Sequence, residues 1–411
     1  MNHPQMHYTY VGIDSHKETH TAVFIDCFFE KLGEITFDNL PSKFDAFLAD
    51  ALKLQQDETI LMFGLEDISM YGRSLAVFLR DNKQQVKHVN ALLVARERKN
   101  RNITEKTDSV DAECAARVLL SKFGGLPDAE PQDDYWILRT LVVRRSYLVR
   151  NNTALKNHLH TLLTAHYPNY QNFFDSIDCK TSLAFFMKYP SPMALKTTTL
   201  ENLTVFLHKL SNGRVGAAKA QEIFESGEDI KAQFQEIRDE AVRSAIRQIQ
   251  FNMQEIQRLE TTLKQVLSLF GTTLTSMTGI DVVTASRMLS CIGDIKRFSA
   301  PAKLARFSGV APVTYASGKK DLQFANQRGN RELNSQFYKL AVRLIGNVGS
   351  TKKVINPFFH EYYRRKLSEG KTKQQALKCV ERRLVNIIWT MLTKNEEYIN
   401  PPMYDLGKKR A

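Results

Sequence analysis

The chain is poor in the features that would make it a membrane, secreted or disordered protein. Its five cysteines (Cys27, Cys114, Cys179, Cys291 and Cys379) are scattered and odd in number. No two have the spacing of a metal-binding pair, which argues against a disulfide framework and a thiolate zinc site and fits a reducing compartment. No apolar run is long enough to span a bilayer. Met1–Tyr10 is polar, without the apolar core of a secretion signal, so a cytoplasmic location is expected. Internal repeats and low-complexity tracts are also missing. Acidic residues are in short supply: 44 Asp and Glu against 57 Lys and Arg, a formal charge of +13. That imbalance points to a polyanionic partner. What is present, 43% hydrophobic and 25% charged residues over 411 positions, suits two or three folded domains.

Tyr8–Asp14 reads as a strand ending in a carboxylate, Thr19–Asp26 as a second strand and Gly33–Phe37 as a third, joined by hairpins. Pro41-Ser42 opens a helix, with Ser42 as N-cap and Phe44, Phe47, Leu48 and Leu52 on one face. Thr59–Glu66 is a further strand ending in a carboxylate. A helix over 71–81, a short strand over 86–89 and a helix over 108–121 complete a mixed α/β sheet over about residues 1–130. A basic helical and coiled-coil region is expected over 131–270, and a mainly helical part over 271–411. Within the middle region, Val242, Ile246, Ile249, Met253, Ile256, Leu259, Leu263, Val266 and Phe270 form a helical apolar stripe. It can pack on its own chain or join protomers as a coiled coil; the second reading is preferred, although the stripe shifts register near Ile256–Leu259. Residues 171–229 carry no clear pattern.

Asp14 and Glu66 each fall at the end of an expected strand, and neighbouring strand ends of one sheet can bring them together. Asp108 and Asp111 lie three apart in a first helical turn, on one face and where the helix dipole favours negative charge. Taken singly, such carboxylates are usually structural, and Asp108 could be a cap. Converging, they are what phosphodiester chemistry with two divalent ions about 4 Å apart requires. Oxygen ligands of this type suit Mg2+ or Mn2+.

Gly12-Ile13-Asp14, Leu65-Glu66 with Tyr71-Gly72, and Lys106-Thr107-Asp108-Ser109-Val110-Asp111-Ala112 resemble the DEDD signature of RuvC-like, RNase H-like folds. More narrowly they resemble the insertion-sequence-110 transposases, relatives of the Piv and MooV DNA invertases. The resemblance implies that Asp14, Glu66, Asp108 and Asp111 are catalytic metal ligands. Gly309-Val310-Ala311-Pro312, Ser317-Gly318 and Arg328-Gly329-Asn330-Arg331-Glu332-Leu333 resemble the C-terminal motif of the same family. Thr278-Gly279-Ile280-Asp281 before it looks like a helix-hairpin-helix, with Thr278 and Asp281 where the family has Pro and Gly; Asp281 would repel a phosphate. On local sequence alone, Ser317-Gly318 beside Lys319 and Lys320 reads as a turn. The resemblance implies that Ser317 is a recombinase nucleophile forming a covalent phosphoserine, with Tyr315 as its rival on the same strand face.

Basic clusters offer phosphate contacts: Arg96, Arg98, Lys99 and Arg101; Arg144, Arg145 and Arg150 among Trp136 and Tyr147; Lys319, Arg328, Asn330 and Arg331; and Arg364, Arg365, Lys366, Arg382 and Arg383 beside Tyr362. For any one of them a solvated helical face is the plain alternative. The resemblance implies donor and target DNA as partners, a structured noncoding bridge RNA as guide, and a homo-oligomer, dimer or tetramer, in the bacterial cytoplasm. The expected function is an insertion-sequence transposase. Two alternatives remain: a hydrolytic, structure-selective nuclease using only the carboxylates, and a non-catalytic nucleic-acid-binding protein of a decayed element.

Overall fold

Five short segments rich in Val, Ile, Phe and Thr form the sheet that organises the N-terminal part of the chain. The structure, a computed structural model, describes residues 3–67, 70–131, 134–167, 169–226, 233–317, 320–348 and 353–400. It divides into two compact units, Met1–Trp136 and Ile137–Ala411.

In the first unit the elements are β1 (Tyr8–Ser15), β2 (Thr19–Ile25), β3 (Lys31–Asp38), α1 (Pro41–Lys53), β4 (Ile60–Leu65), α2 (Arg73–Asp81), β5 (Gln85–His88), α3 (Ala91–Asn100) and α4 (Asp108–Ser121). The sheet order is β3-β2-β1-β4-β5. β2 runs antiparallel to β1 and to β3, whereas β4 runs parallel to β1 and to β5. β1 is central and covered on both faces, so it is almost continuously buried. On one face Val11, Ile13, Phe24 and Phe63 pack with Phe44, Phe47, Leu75 and Leu79 of α1 and α2. On the other, Tyr10, Val23 and Met62 pack with Ala112, Ala115, Ala116 and Leu119 of α4.

α4 lies unusually close to the sheet. A Cβ on Gly12 would stand 2.0 Å from the Ala112 carbonyl oxygen and 2.3 Å from the Ala116 nitrogen. On β4, a Cβ on Gly64 would stand 2.6 Å from Leu119 Cδ1. Only hydrogen at Gly12 lets helix backbone touch strand backbone.

In the second unit, α5 (Tyr135–His166), α6 (Lys180–Lys188), α7 (Pro192–Leu195), α8 (Leu200–Leu210), α9 (Ala217–Glu225) and α10 (Gln235–Leu269) supply an aromatic core of Tyr167, Phe173, Phe185, Phe186 and Tyr189. Several of its buried polar groups are paired, although Asn152 Oδ1 and Ser182 Oγ are not. Tyr167 Oη donates to the Ser191 carbonyl at 3.0 Å, and Asp239 accepts from Ser191 Oγ at 3.1 Å and from Gln235 Nε2 at 2.7 Å. There follow α11 (Val282–Ile292), α12 (Pro301–Phe307), the hairpin β6 (Val313–Ser317) and β7 (Lys320–Phe324), α13 (Arg331–Ile345), the short pair β8 (Asn347–Val348) and β9 (Lys353–Val354), α14 (Pro357–Ser368) and α15 (Lys373–Lys394). α15 packs on α12, α13 and α14.

Several expectations need correction. Ser42 does not cap α1: Leu40 is the N-cap residue and Pro41 occupies the first turn, where its missing N–H costs nothing. Leu52 is exposed and Ala51 is the buried residue of that turn. In α10, Val242, Ile246 and Ile249 are buried in the aromatic core of their own chain, which removes them from any coiled-coil seam between protomers. Met253 in the middle of the stripe is exposed. The segment before the Gly279 turn is a three-residue 3-10 turn, Leu274–Ser276, rather than the first helix of a helix-hairpin-helix.

Gly12→Ala tests the close approach. A methyl group cannot fit against two backbone atoms, so α4 must shift. The variant should lose at least about 3 kcal/mol, at the upper end of overpacking costs, read as a lowered denaturant midpoint in equilibrium unfolding. An unchanged midpoint would show that the approach is looser.

Candidate active site

The sheet geometry carries the first two carboxylates together. Gly12 pairs with Gly64 and Ile13 with Leu65 in parallel register, so Asp14 and Glu66 are the next positions along adjacent strands. Asp14 follows Gly12 by two residues and therefore faces α4 as Gly12 does. α4 begins at Asp108, with Thr107 as its N-cap accepting from the Val110 N–H at 3.2 Å. Asp108 and Asp111 stand in its first turn, Asp108 exposed and Asp111 buried.

The four groups feel one another. The Asp14 carboxyl is held above its ordinary range, first by burial and then by the negative charges of Asp108 and Asp111; His16 opposes this. Glu66 is also held up by burial, then by Asp14 and Asp111, with Lys106 and Arg98 opposing. Arg98 of α3 is ion-paired with Asp111. The region is thus a pocket of excess negative charge partly offset by two cationic side chains.

A residue absent from the expected set stands in its middle. His16, in the turn after β1, places Nε2 3.2 Å from Asp14 Oδ2 and 3.1 Å from Asp108 Oδ1. One ligand atom from each of Asp14, His16 and Asp108 lie within 4.8 Å of one another. Its sequence signal is a histidine two positions beyond a strand-end aspartate. The donors, hard oxygens with one imidazole, and the mutual repulsion of Asp14 and Glu66 fit a divalent cation. Asp111 belongs to the same field of charge, but its carboxylate is engaged by Arg98 rather than grouped with the other two.

The residues expected to bind nucleic acid separate into two sets. Arg96 and Lys99 on α3, Arg144 and Arg150 on α5, Arg328, and Arg331 at the start of α13 are exposed. Arg98 is committed to Asp111, Arg101 Nη1 lies 2.9 Å from Glu113, and Arg145 grips Glu260 through Nε and Nη2 at 2.8 and 2.5 Å. Asn330 caps α13 by accepting from the Leu333 N–H at 2.9 Å. Asp281 likewise caps α11, accepting from the Thr284 N–H at 2.8 Å, which gives it a structural role. Tyr315 and Ser317 fall in β6, and Ser317 pairs with Lys320 where the hairpin closes. Lys319 lies outside the described residues.

Residues 11–168 match the family model of DEDD transposases of the IS110 type, described as a transposase, and residues 271–364 match one described as Transposase IS116/IS110/IS902 family. An uncharacterized 44.8 kDa protein of insertion element IS116 from Streptomyces clavuligerus is 25% identical over 410 residues, covering 96% of each chain. An uncharacterized 43.6 kDa protein of insertion element IS110 from Streptomyces coelicolor is 26% identical over 300 residues, covering 71% of this chain and 72% of its own. A pilin gene-inverting protein of Moraxella bovis is 28% identical over 130 residues, 30% of this chain and 37% of that one.

The raised carboxyls give a stability test. A carboxyl whose folded-state pKa is raised contributes stability below its ordinary range and loses it as pH rises through the raised value. Without divalent cation, Asp14 and Glu66 therefore make the fold less stable above the ordinary values of 3.8 and 4.5. Asp14→Asn should raise the melting temperature of chelator-treated protein at pH 7. A divalent cation at about 100 times its Kd should add about 2.7 kcal/mol to the wild type and much less to the variant. Equal cation responses of the two proteins in differential scanning fluorimetry would dissociate Asp14 from cation binding.

Proposed function

The chain belongs to the IS110 family of transposases, and from that membership we propose that it cuts and rejoins DNA with a DEDD carboxylate site and a covalent phosphoserine. The observation that carries this reading is electrostatic: Asp14 and Glu66, at the ends of adjacent strands, both feel the charge of Asp111, and Asp14 feels that of Asp108 as well. The strand order β3-β2-β1-β4-β5, with only β2 reversed against its neighbours, supports an RNase H-like, RuvC-like fold for the first unit. The regions 131–270 and 271–411 would be a basic helical part and a transposase part carrying Ser317.

Bound Mg2+ or Mn2+ would supply charge neutralisation at the reacting phosphate. Asp14, Glu66, Asp108 and Asp111 would hold it. Ser317 Oγ forms the new bond to phosphorus, the bond from phosphorus to the leaving deoxyribose oxygen breaks, and the serine proton ends on that oxygen. The phosphoserine keeps a phosphodiester linkage, so a strand hydroxyl can reverse the step on a new partner without an outside energy source. The pilin gene-inverting relatives support DNA inversion as one outcome of such rejoining.

The exposed Arg96, Lys99, Arg144, Arg150, Arg328 and Arg331 are among the cations that can meet phosphates of donor DNA, target DNA and a bridge RNA. Arg98, Arg101 and Arg145 serve the fold through their carboxylate partners. Action as a homo-oligomer, in the cytoplasm, completes the reading.

A suicide DNA substrate with the purified RNA-bound protein and Mg2+ tests it. Wild type should give a protein–DNA adduct that survives denaturation and maps to Ser317, and Ser317→Ala should give none while still binding nucleic acid. Asp14→Ala and Asp111→Asn, the latter retaining an acceptor for Arg98, should each slow cleavage by about 100-fold or more. An adduct on Tyr315 would replace the nucleophile. Cleavage to free ends, undiminished in Ser317→Ala, would favour the hydrolytic nuclease.

A further inference from the structure

The imidazole of His16 is held by its turn rather than by chance. The His16 backbone N–H donates to the Thr19 carbonyl at 3.0 Å, closing the connection from β1 to β2. Asn39 Nδ2 reaches the carbonyls of His16, Lys17 and Tyr71 at 3.2, 3.3 and 3.1 Å, pinning that turn to the segment before α2. The ring is half exposed at the mouth of the carboxylate pocket, and a single nitrogen meets both Asp14 and Asp108.

One N–H cannot point well at two carboxylates, because hydrogen bonds weaken steeply away from linearity. The same spacing suits coordination. Donors about 2.1 Å from an octahedral ion are about 3 Å apart along each edge. The separations of 3.2 Å to Asp14 and 3.1 Å to Asp108 are edges of that size, running from one imidazole nitrogen to two carboxylate oxygens. With the ring proton on Nδ1, Nε2 offers its lone pair to the point the two carboxylates share.

We propose that His16 is a ligand of the divalent cation in this site, together with Asp14 and Asp108, and that it makes the site prefer Mn2+ to Mg2+. The inference rests on the metal-dependent reading above and adds a nitrogen donor to it. Imidazole binds first-row transition ions, Mn2+ the weakest among them, more readily than Mg2+, which demands near-ideal octahedral geometry and sheds its waters reluctantly. A pocket of carboxylates alone would discriminate little between the two.

Pulsed electron paramagnetic resonance of full-length, chelator-treated protein loaded with Mn2+ reads this directly. Wild type should show the 14N coupling of a directly bound imidazole, and His16→Ala should bind Mn2+ about 10-fold or more weakly without that coupling. His16 is half exposed, so the variant should fold. His16→Asp should recover Mn2+ binding without the nitrogen signal and narrow the preference for Mn2+ over Mg2+ in competition titrations. Mn2+ bound to wild type with no 14N coupling, or a coupling retained in His16→Ala, would overturn the role of His16 and leave the carboxylate site standing. No Mn2+ bound to wild type would remove both.

Discussion

Everything in the first unit that bears on chemistry depends on backbone meeting backbone where α4 crosses β1. Gly12 has no side chain, so the Ala112 carbonyl and the Ala116 amide come to the strand itself. Ala112, Ala115 and Ala116 keep the helix equally thin on that side. Because Asp14 is two residues beyond Gly12 and Asp111 is next to Ala112, this crossing sets how near the carboxylates of strand and helix can come. A side chain at position 12 would lift the start of α4 and separate Asp108 and Asp111 from Asp14. A packing requirement and the proposed catalytic one therefore fall on the same pair of surfaces.

The second consequence is electrostatic. Bringing Asp14, Glu66, Asp108 and Asp111 into one pocket stores repulsion, visible in the raised Asp14 and Glu66 carboxyls. The chain offsets part of it with its own side chains. Arg98 takes Asp111, Lys106 acts on Glu66, and the imidazole of His16 stands between Asp14 and Asp108. Arg98 and His16 have opposite relations to a bound cation: Arg98 competes with it for Asp111, whereas His16 can join its ligands. Functional sites commonly cost stability in this way, and the offsetting groups limit the cost while the site stands ready.

Much of this was legible in the sequence because it lies in local patterns. The strand ending at Asp14 and the helix over 108–121 announce themselves through apolar runs and the acidic first turn, although the cap is Thr107 rather than Asp108. The parallel pairing that sets Asp14 beside Glu66 is a matter of topology: the sequence showed only that neighbouring strand ends can bring the two together, and the resemblance implied that they share a site. Two features were not legible. His16 was not singled out, since its meaning depends on Asp108, far away in sequence. The stripe on α10 looked like a coiled-coil seam because periodicity shows that a face is apolar but not what covers it; Val242, Ile246 and Ile249 are covered by their own chain.

The same limit governs the basic residues. Counting Lys and Arg correctly implies a polyanionic partner, yet the count treats every cation as free. Arg98, Arg101 and Arg145 sit in the same clusters as Arg96, Lys99, Arg144 and Arg150 but hold carboxylates of their own chain. Neighbours in a helix point in different directions, so adjacent arginines divide between core and solvent: Arg145 turns to Glu260 while Arg144 lies exposed beside Tyr147. A phosphate backbone would be met by the exposed members, and the steepness of salt dependence would follow their number rather than the net charge. The excess charge of the chain is thus spent in two ways: some cations hold the framework of α3, α4, α5 and α10, and others face solvent, where a nucleic acid would be bound.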